Sequence, residues 1–295
     1  VGYQAGYSNT TGLVSAFGSS VLKNNSTGSY NTGLGGRGSD NYSTLNENTT
    51  GSYNVAVGHG SLARNTTASN NTAVGYQSSY FNTTGTNNAT IGSSAGKNNT
   101  TGQHNTSIGQ SAGRATNSGS YNVAVGSDAL RTNTTASNNT AVGYNALYSN
   151  TTGSENAGLS NAALQLNTTG NNNSAAGRGA LNVNTTGSNN SAFGHLALSA
   201  NTTASNNTAV GYQSLYFSTG GHNTAVGYQA GTNITTGSYN MALGRRAGLS
   251  LTTSTNNTIV GANDAGLYMT TGSKNTILGG YNGNQGGLDI RTASN

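Results

Sequence analysis

Residues 71–87 read Asn71-Thr72-Ala73-Val74-Gly75-Tyr76-Gln77-Ser78-Ser79-Tyr80-Phe81-Asn82-Thr83-Thr84-Gly85-Thr86-Asn87. The pattern returns along the whole chain. Its glycine recurs at Gly2, Gly18, Gly35, Gly58, Gly75, Gly92, Gly109, Gly126 and Gly143. It continues at Gly177, Gly194, Gly211, Gly227, Gly244, Gly261 and Gly279, with Ser160 in the one substituted place. Twelve of the sixteen intervals are seventeen residues; two are sixteen, one is eighteen and one is twenty-three. A period of this length with no helical stripe is the signature of stacked coils. The chain reads as all-β, a parallel β-solenoid or β-roll with a 17-residue coil over residues 1–279. Residues 280–295 read as a glycine-rich hinge and the start of a following segment.

Numbered from its asparagine, the repeat is Asn-Thr-Ala-Val-Gly-Tyr-Gln-Ala-Leu-x-x-Asn-Thr-Thr-Gly-Ser-Asn. Position 4 is large and apolar nearly throughout, as at Val74, Val142 and Val210, and is small only at Ala176. Position 3 is usually alanine. Because strand residues alternate faces, position 4 points opposite to position 3. The expectation is that position 4 is buried and packs the bulky side of a narrow roll. Positions 8 and 9, as in Ala129-Leu130 and Ala146-Leu147, form a second apolar stretch. Each coil is therefore expected to hold two short strands, joined by a tight turn and a wider one. Positions 12–17 are turn chemistry. Glycine, asparagine and threonine dominate, which argues against helix.

Coils stacked about 4.8 Å apart place identical residues in ladders, and seventeen of them span roughly 80 Å. Position 1 gives an asparagine ladder through Asn71, Asn88, Asn105, Asn122 and Asn139; position 12 gives another through Asn65, Asn82 and Asn99. Stacked amides hydrogen-bond along the axis of such arrays, a structural role. The period breaks where six extra residues enter, expected as a bulge within Ser39 to Leu45. One further residue enters near Asp264.

Composition narrows the class. Valine, isoleucine, leucine and phenylalanine make up roughly 15% of 295 residues, a level at which disorder is the usual reading. Disorder usually also needs high net charge. Here charged residues are 6% and the net charge is +5, and the apolar residues keep fixed repeat positions. There is no cysteine, hence no disulfide framework or thiolate metal site, and no proline to interrupt a ladder. No stretch approaches a membrane span and no secretory signal is present. The chain opens inside a repeat at Val1-Gly2-Tyr3, so it reads as a fragment of a longer protein.

The unit Asn223-Thr224-Ala225-Val226-Gly227-Tyr228-Gln229-Ala230 resembles the head repeat of trimeric autotransporter adhesins, and more closely the repeats of bacteriophage tail fibres. The closing Asp289-Ile290-Arg291-Thr292-Ala293-Ser294-Asn295 is similar to the segment that follows such repeats in fibres ending in a self-cleaving chaperone. The resemblance implies a left-handed parallel roll assembled as a homotrimer, on a virion tail or an extracellular cell surface. The repeat departs from the adhesin pattern in its extra Thr-Thr-Gly turn. Apolar residues on two faces of so small a coil argue independently for a self partner. The expected function is a structural fibre shaft that spaces a distal receptor-binding region. The alternatives are a surface adhesin or glycan-binding module, or an ice-binding solenoid.

Enzyme chemistry is not expected. No two of the acids Asp40, Glu47, Asp128, Glu155, Asp264 and Asp289 share a ladder position on adjacent coils. His59, His104, His195 and His222 are isolated, and no metal or other cofactor is implied. The isoelectric point is near 9.4, yet the basic residues are sparse, so nucleic acid is not an expected partner. Tyrosine is the one recognition-type residue. Tyr76, Tyr144, Tyr212 and Tyr228 at position 6 are candidates for glycan contact, since a rigid amphipathic ring stacks on sugars. Asn-x-Thr sequons such as Asn65-Thr66-Thr67 read as glycosylation sites in a secreted eukaryotic protein and as turn residues in a phage or bacterial one.

Overall fold

The computed structural model describes residues 1–37 and 42–282. The chain divides into two compact units, Val1–Thr152 and Gly153–Asn295. In the first, eight strands run from Val14–Phe17 to Thr140–Val142, each paired in parallel with the next. In the second, eight more run from Ala157–Leu159 to Thr276–Leu278 in the same manner. Register advances one repeat per strand, as in Thr72↔Ala89 and Val74↔Ile91. The β-solenoid with a coil of about seventeen residues stands.

The coil is turned the other way round from the expectation. Position 3 faces inward and position 4 outward. Ala73, Ala141 and Ala209 are buried, while Val74 and Val210 are half-exposed and Val142 is 39% exposed. Phe17 at 49% and Ile91 at 43% lie on the same outer row. The reason is room. The interior already holds an asparagine from position 1, another from position 12 and a leucine from position 9, all fully buried in most coils. Only a methyl group fits between them, so the strand turns its alanine in and its valine out.

Positions 8 and 9 do not form a second strand. They lie in a turn that carries left-handed residues at positions 7 and 9, such as Asn145 (φ 56°) and Leu147 (φ 52°). Left-handed backbone costs a non-glycine residue roughly 1–2 kcal/mol. Burying a leucine returns roughly 1.5–3 kcal/mol. The alternating hand still lets the turn bond to the next coil, with Leu130 N–H on Ala146 O at 2.9 Å and Thr132 N–H on Tyr148 O at 3.1 Å.

The asparagine ladders are the interior scaffold. The Asn71 backbone N–H donates to Asn54 Oδ1 at 3.0 Å, and its Nδ2 donates to Gly85 O at 2.9 Å across the coil. Backbone bonds of the same kind link Asn88, Asn105, Asn122 and Asn139 in series. At position 12, Asn65 Nδ2 donates to Asn48 Oδ1 at 2.7 Å and to Ala68 O at 3.0 Å. This second ladder breaks where another residue takes the place. Thr116 follows Asn99 and Ser218 follows Asn201, and in both cases the preceding Oδ1 is buried without a donor. Beside the first break a void of about 10 Å³ is lined by Asn99, Thr116, Gly96 and Gly113.

The interior exchanges volume between rows. Where position 3 enlarges to Thr90, position 9 shrinks to Gly96, on which a Cβ would lie 2.7 Å from Thr90 Cγ2. Near the end of the second unit position 12 becomes Ile234, Leu251 and Met269, and position 9 becomes glycine at Gly231, Gly248 and Gly266. A Cβ on Gly248 would sit 3.0 Å from Leu251 Cδ1.

The period breaks resolve locally. Of the expected bulge at Ser39 to Leu45, Ser39–Asn41 lie outside the described residues. Ser43, Thr44 and Leu45 are instead core: Leu45 is fully buried in the leucine row with Leu22 and Leu62. The extra residue near Asp264 is a β-bulge, where Arg245 pairs with Asn263 after Leu243 has paired with Val260. The expected hinge lies outside the described residues from residue 283 onward.

Position 5 requires glycine. Gly177 has φ +137°, and a Cβ there would lie 2.4 Å from Gly194 O on the next coil. Ser160 holds the same conformation, φ 132°, with a side chain. Such backbone costs a non-glycine residue of order 1–3 kcal/mol. Ser160→Gly is therefore expected to raise the unfolding free energy by about 1 kcal/mol, and Gly177→Ala to lower it. Denaturant midpoints at unchanged m-value measure both. Thr116→Asn is expected to stabilise by about 1 kcal/mol, by filling the void and donating to Asn99 Oδ1. A lower melting temperature for that variant would show that the break is not a vacancy in the ladder.

Candidate functional site

The sequence-predicted residues separate into an interior set and an exterior set. Asn71, Asn88, Asn105, Asn122 and Asn139 are buried in one continuous ladder. Val74 and Val142 face outward on strands of the first unit, and Val210 does so on a strand of the second. Tyr76, Tyr144, Tyr212 and Tyr228 are exposed at the corner that follows. Asn65 and its counterparts at position 12 spend their amides on the ladder, so in the folded coil they are structural and leave no room for an attached glycan.

The outward face of the strands is a regular surface. Position 4 presents Phe17, Leu34, Ile91, Ile108 and Val142 in the first unit, and Leu159, Phe193, Val226 and Leu278 in the second. Position 2 lies on the same face, two residues back. It is variable, with Thr72, Ala89, Thr106, Val123 and Thr140 on successive coils. Rows of exposed apolar side chains at strand spacing exceed what a solitary surface needs.

The position-6 tyrosines do not present free ring faces in series. Tyr212 and Tyr228 stack on each other with centroids 5.2 Å apart, and His195 stacks on Tyr212 at 5.5 Å. Arg245 sits 6.0 Å over Tyr228. A sugar therefore meets ring edges and hydroxyls there rather than faces. Tyr76 stacks on His59 at 5.5 Å, but the next residue on its row is Ser93, which leaves its other face uncovered. Sequence reasoning missed a regularity here. Each of the four histidines stands one coil before a tyrosine of the same position and stacks on it, His104 on Tyr121 at 4.9 Å and His222 on Tyr239 at 4.7 Å. The signal was the seventeen-residue offset between each pair. At position 10, Tyr80 is buried against Tyr42 and Phe81.

The two threonines of each turn differ. Thr66 Oγ1 donates to Thr83 O at 3.1 Å, and Thr83 Oγ1 to Thr100 O at 3.0 Å, so position 13 belongs to a hydroxyl ladder. Thr67 and Thr84 at position 14 are exposed. Among the described residues no group of three or more histidine and acidic side chains gathers to hold a metal. No helix of the described residues is long and apolar enough to cross a membrane.

Clefts interrupt the regular surface in both units, among them one of about 580 Å³ lined by Arg64, Phe81, Asn98 and Asn117 in the first. In the second unit a cleft of about 660 Å³ is lined by Gln213, Tyr216, Phe217, Tyr228, Arg245 and Arg246 among others. No family model, curated protein or solved structure matches the chain. The functional reading therefore rests on these surfaces.

Proposed function

We propose that this protein is a structural shaft, on a virion tail or the outside of a cell, whose coils associate with two further copies of the chain and space a distal receptor-binding region. The observation that carries this reading is the outward apolar row at position 4. A monomer gains nothing by exposing Phe17, Leu34, Ile91 and Ile108 on one face. Burying them against identical rows removes roughly 25 cal/mol of unfavourable hydration per Å². A homomeric partner suits the row because it presents the same repeat at the same 4.8 Å spacing, about that of any parallel ladder. The shaft needs no catalysis, cofactor, nucleic acid or inserted membrane segment to work.

An ice-binding role is less well supported. Only one threonine of each turn pair keeps its hydroxyl free of the coil-to-coil ladder, and position 2 on the flat face alternates threonine with valine, alanine and serine. A glycan-binding role at the tyrosine rows is limited by the stacking that covers the ring faces of Tyr212 and Tyr228.

Light scattering of the full chain is expected to give three times its mass of 29.5 kDa. The double substitution Ile91→Glu with Ile108→Glu is expected to yield a monomer that keeps its far-ultraviolet β signal, because both side chains point away from the core. A wild-type chain that is monomeric and soluble at high concentration overturns the reading.

A further inference from the structure

We propose that the cleft in the second unit is a binding site for a saccharide that carries a carboxylate. The site does not rest on the shaft reading, since a side-wall cleft serves a spacer or a free module alike. It arises from three local departures from the repeat. Position 10 is Tyr216 on one coil, Thr232 on the next and Leu249 on the one after. The small Thr232, buried and bonded through Oγ1 to Gln213 O at 2.9 Å, leaves a notch between two large neighbours. The β-bulge at Asn263 then draws Arg245 onto Asn263 Oδ1 at 2.5 Å and positions it beside the notch.

The chemistry around the notch is unlike that of the other coils. Arg245 and Arg246 are the one adjacent basic pair in the chain, and both line the cleft. Among the described residues Asp264 is the one acid paired with them, 3.7 Å from Arg245 and 3.2 Å from Arg246. One carboxylate against two guanidinium groups leaves one positive charge for a ligand. Gln229 Nε2 donates to Gln213 Oε1 at 3.1 Å, so this amide pair keeps further donor and acceptor capacity toward the cleft. Phe217, which also lines the cleft, is 48% exposed. Its ring meets Tyr216 edge-on at 4.5 Å, which leaves ring surface for the C–H face of a sugar. A volume of about 660 Å³ lies within the range of small-ligand sites. Mixed amide, hydroxyl and aromatic lining suits a polyhydroxylated ring, and the surplus guanidinium suits its carboxylate by a bidentate bond. A polyglutamate peptide satisfies the charge but offers no rigid C–H ring face to Phe217.

The test is calorimetric titration of the full chain with tri-galacturonic acid and with sialyllactose, beside neutral lactose and a hexaglutamate peptide. Binding of an acidic saccharide is expected with a dissociation constant on the order of 1 mM, falling off with added salt. The double variant Arg245→Gln, Arg246→Gln is expected to weaken it by about tenfold or more, the loss of a charge-assisted pair. Thr232→Leu, which copies Leu249 on the same row, is expected to close the notch and abolish binding. Arg178→Gln, on the same unit but outside the cleft, is expected to leave binding unchanged, and circular dichroism checks the fold of each variant. Three results would overturn the proposal: no heat from either acidic saccharide, lactose or hexaglutamate binding as well as they do, or full binding by the Thr232→Leu protein. Oligomeric state is read separately by light scattering, so failure here leaves the shaft reading standing, and the reverse.

Discussion

A buried asparagine side chain joins each coil to the next, and the rest of the structure is arranged to keep that amide satisfied. An unpaired amide in an apolar interior costs several kcal/mol on the harsher transfer scales. Position 1 avoids this by three bonds at once: its own N–H and Nδ2 donate, and its Oδ1 accepts from the coil that follows. The bonds run along the stack, so each asparagine needs another directly above or below it. A repeat that begins with one buried amide must therefore continue with the same amide. The two orphaned oxygens, at Asn99 and Asn201, stand where position 12 departs from that rule.

This interior explains the exterior. Where two amides and a leucine fill the coil, the strand has space inside for an alanine and no more; a larger inward residue such as Thr90 or Ile259 comes with a glycine at position 9. Glycine at position 5 lets the backbones of successive coils approach with no side chain between them. The bulky apolar residues that would form the core of an ordinary domain are left on the outer face of the strands. Stability within a coil and association between copies are thereby assigned to different rows, and each row can vary without disturbing the other. Positions 2 and 4 vary freely, position 1 hardly does, and position 3 enlarges only where position 9 is glycine.

The same logic places recognition chemistry. A stack of identical coils yields ladders, and ladders cover their own aromatic faces: tyrosine lies on histidine, tyrosine on tyrosine, arginine on tyrosine. A uniform surface of this kind serves as a spacer or a self-association face. Selective contact needs a break in the repeat. The bulge at Asn263, the small Thr232 and the Arg245–Arg246 pair fall together in the second unit and produce a cleft in which two guanidinium groups, amides and aromatics converge.

The amino-acid sequence by itself determined the all-β class, the seventeen-residue coil, the asparagine ladders and the parallel in-register pairing, because a ladder position is legible wherever one residue type recurs at a fixed interval. It also marked the insertion and the bulge, as changes in that interval. Its alternation established that Ala73 and Val74 face opposite ways but not which of them faces in. The assumption that large apolar residues seek the interior chose wrongly, since the interior was already occupied by Asn71, Asn82 and the position-9 row. Row composition was the better guide: position 3 is alanine, glycine or serine on most coils beside a near-constant asparagine, while position 4 ranges from alanine to phenylalanine. The left-handed leucines were equally hidden, because Ala146-Leu147 has the composition of a strand and adopts its turn only when the leucine can be buried by doing so. Only the tertiary structure decided these points, because facing and backbone hand depend on what else competes for the same enclosed volume. The cleft was decided there too: Thr232, Arg245 and Asn263 belong to different coils, and stacking is what brings them to one place.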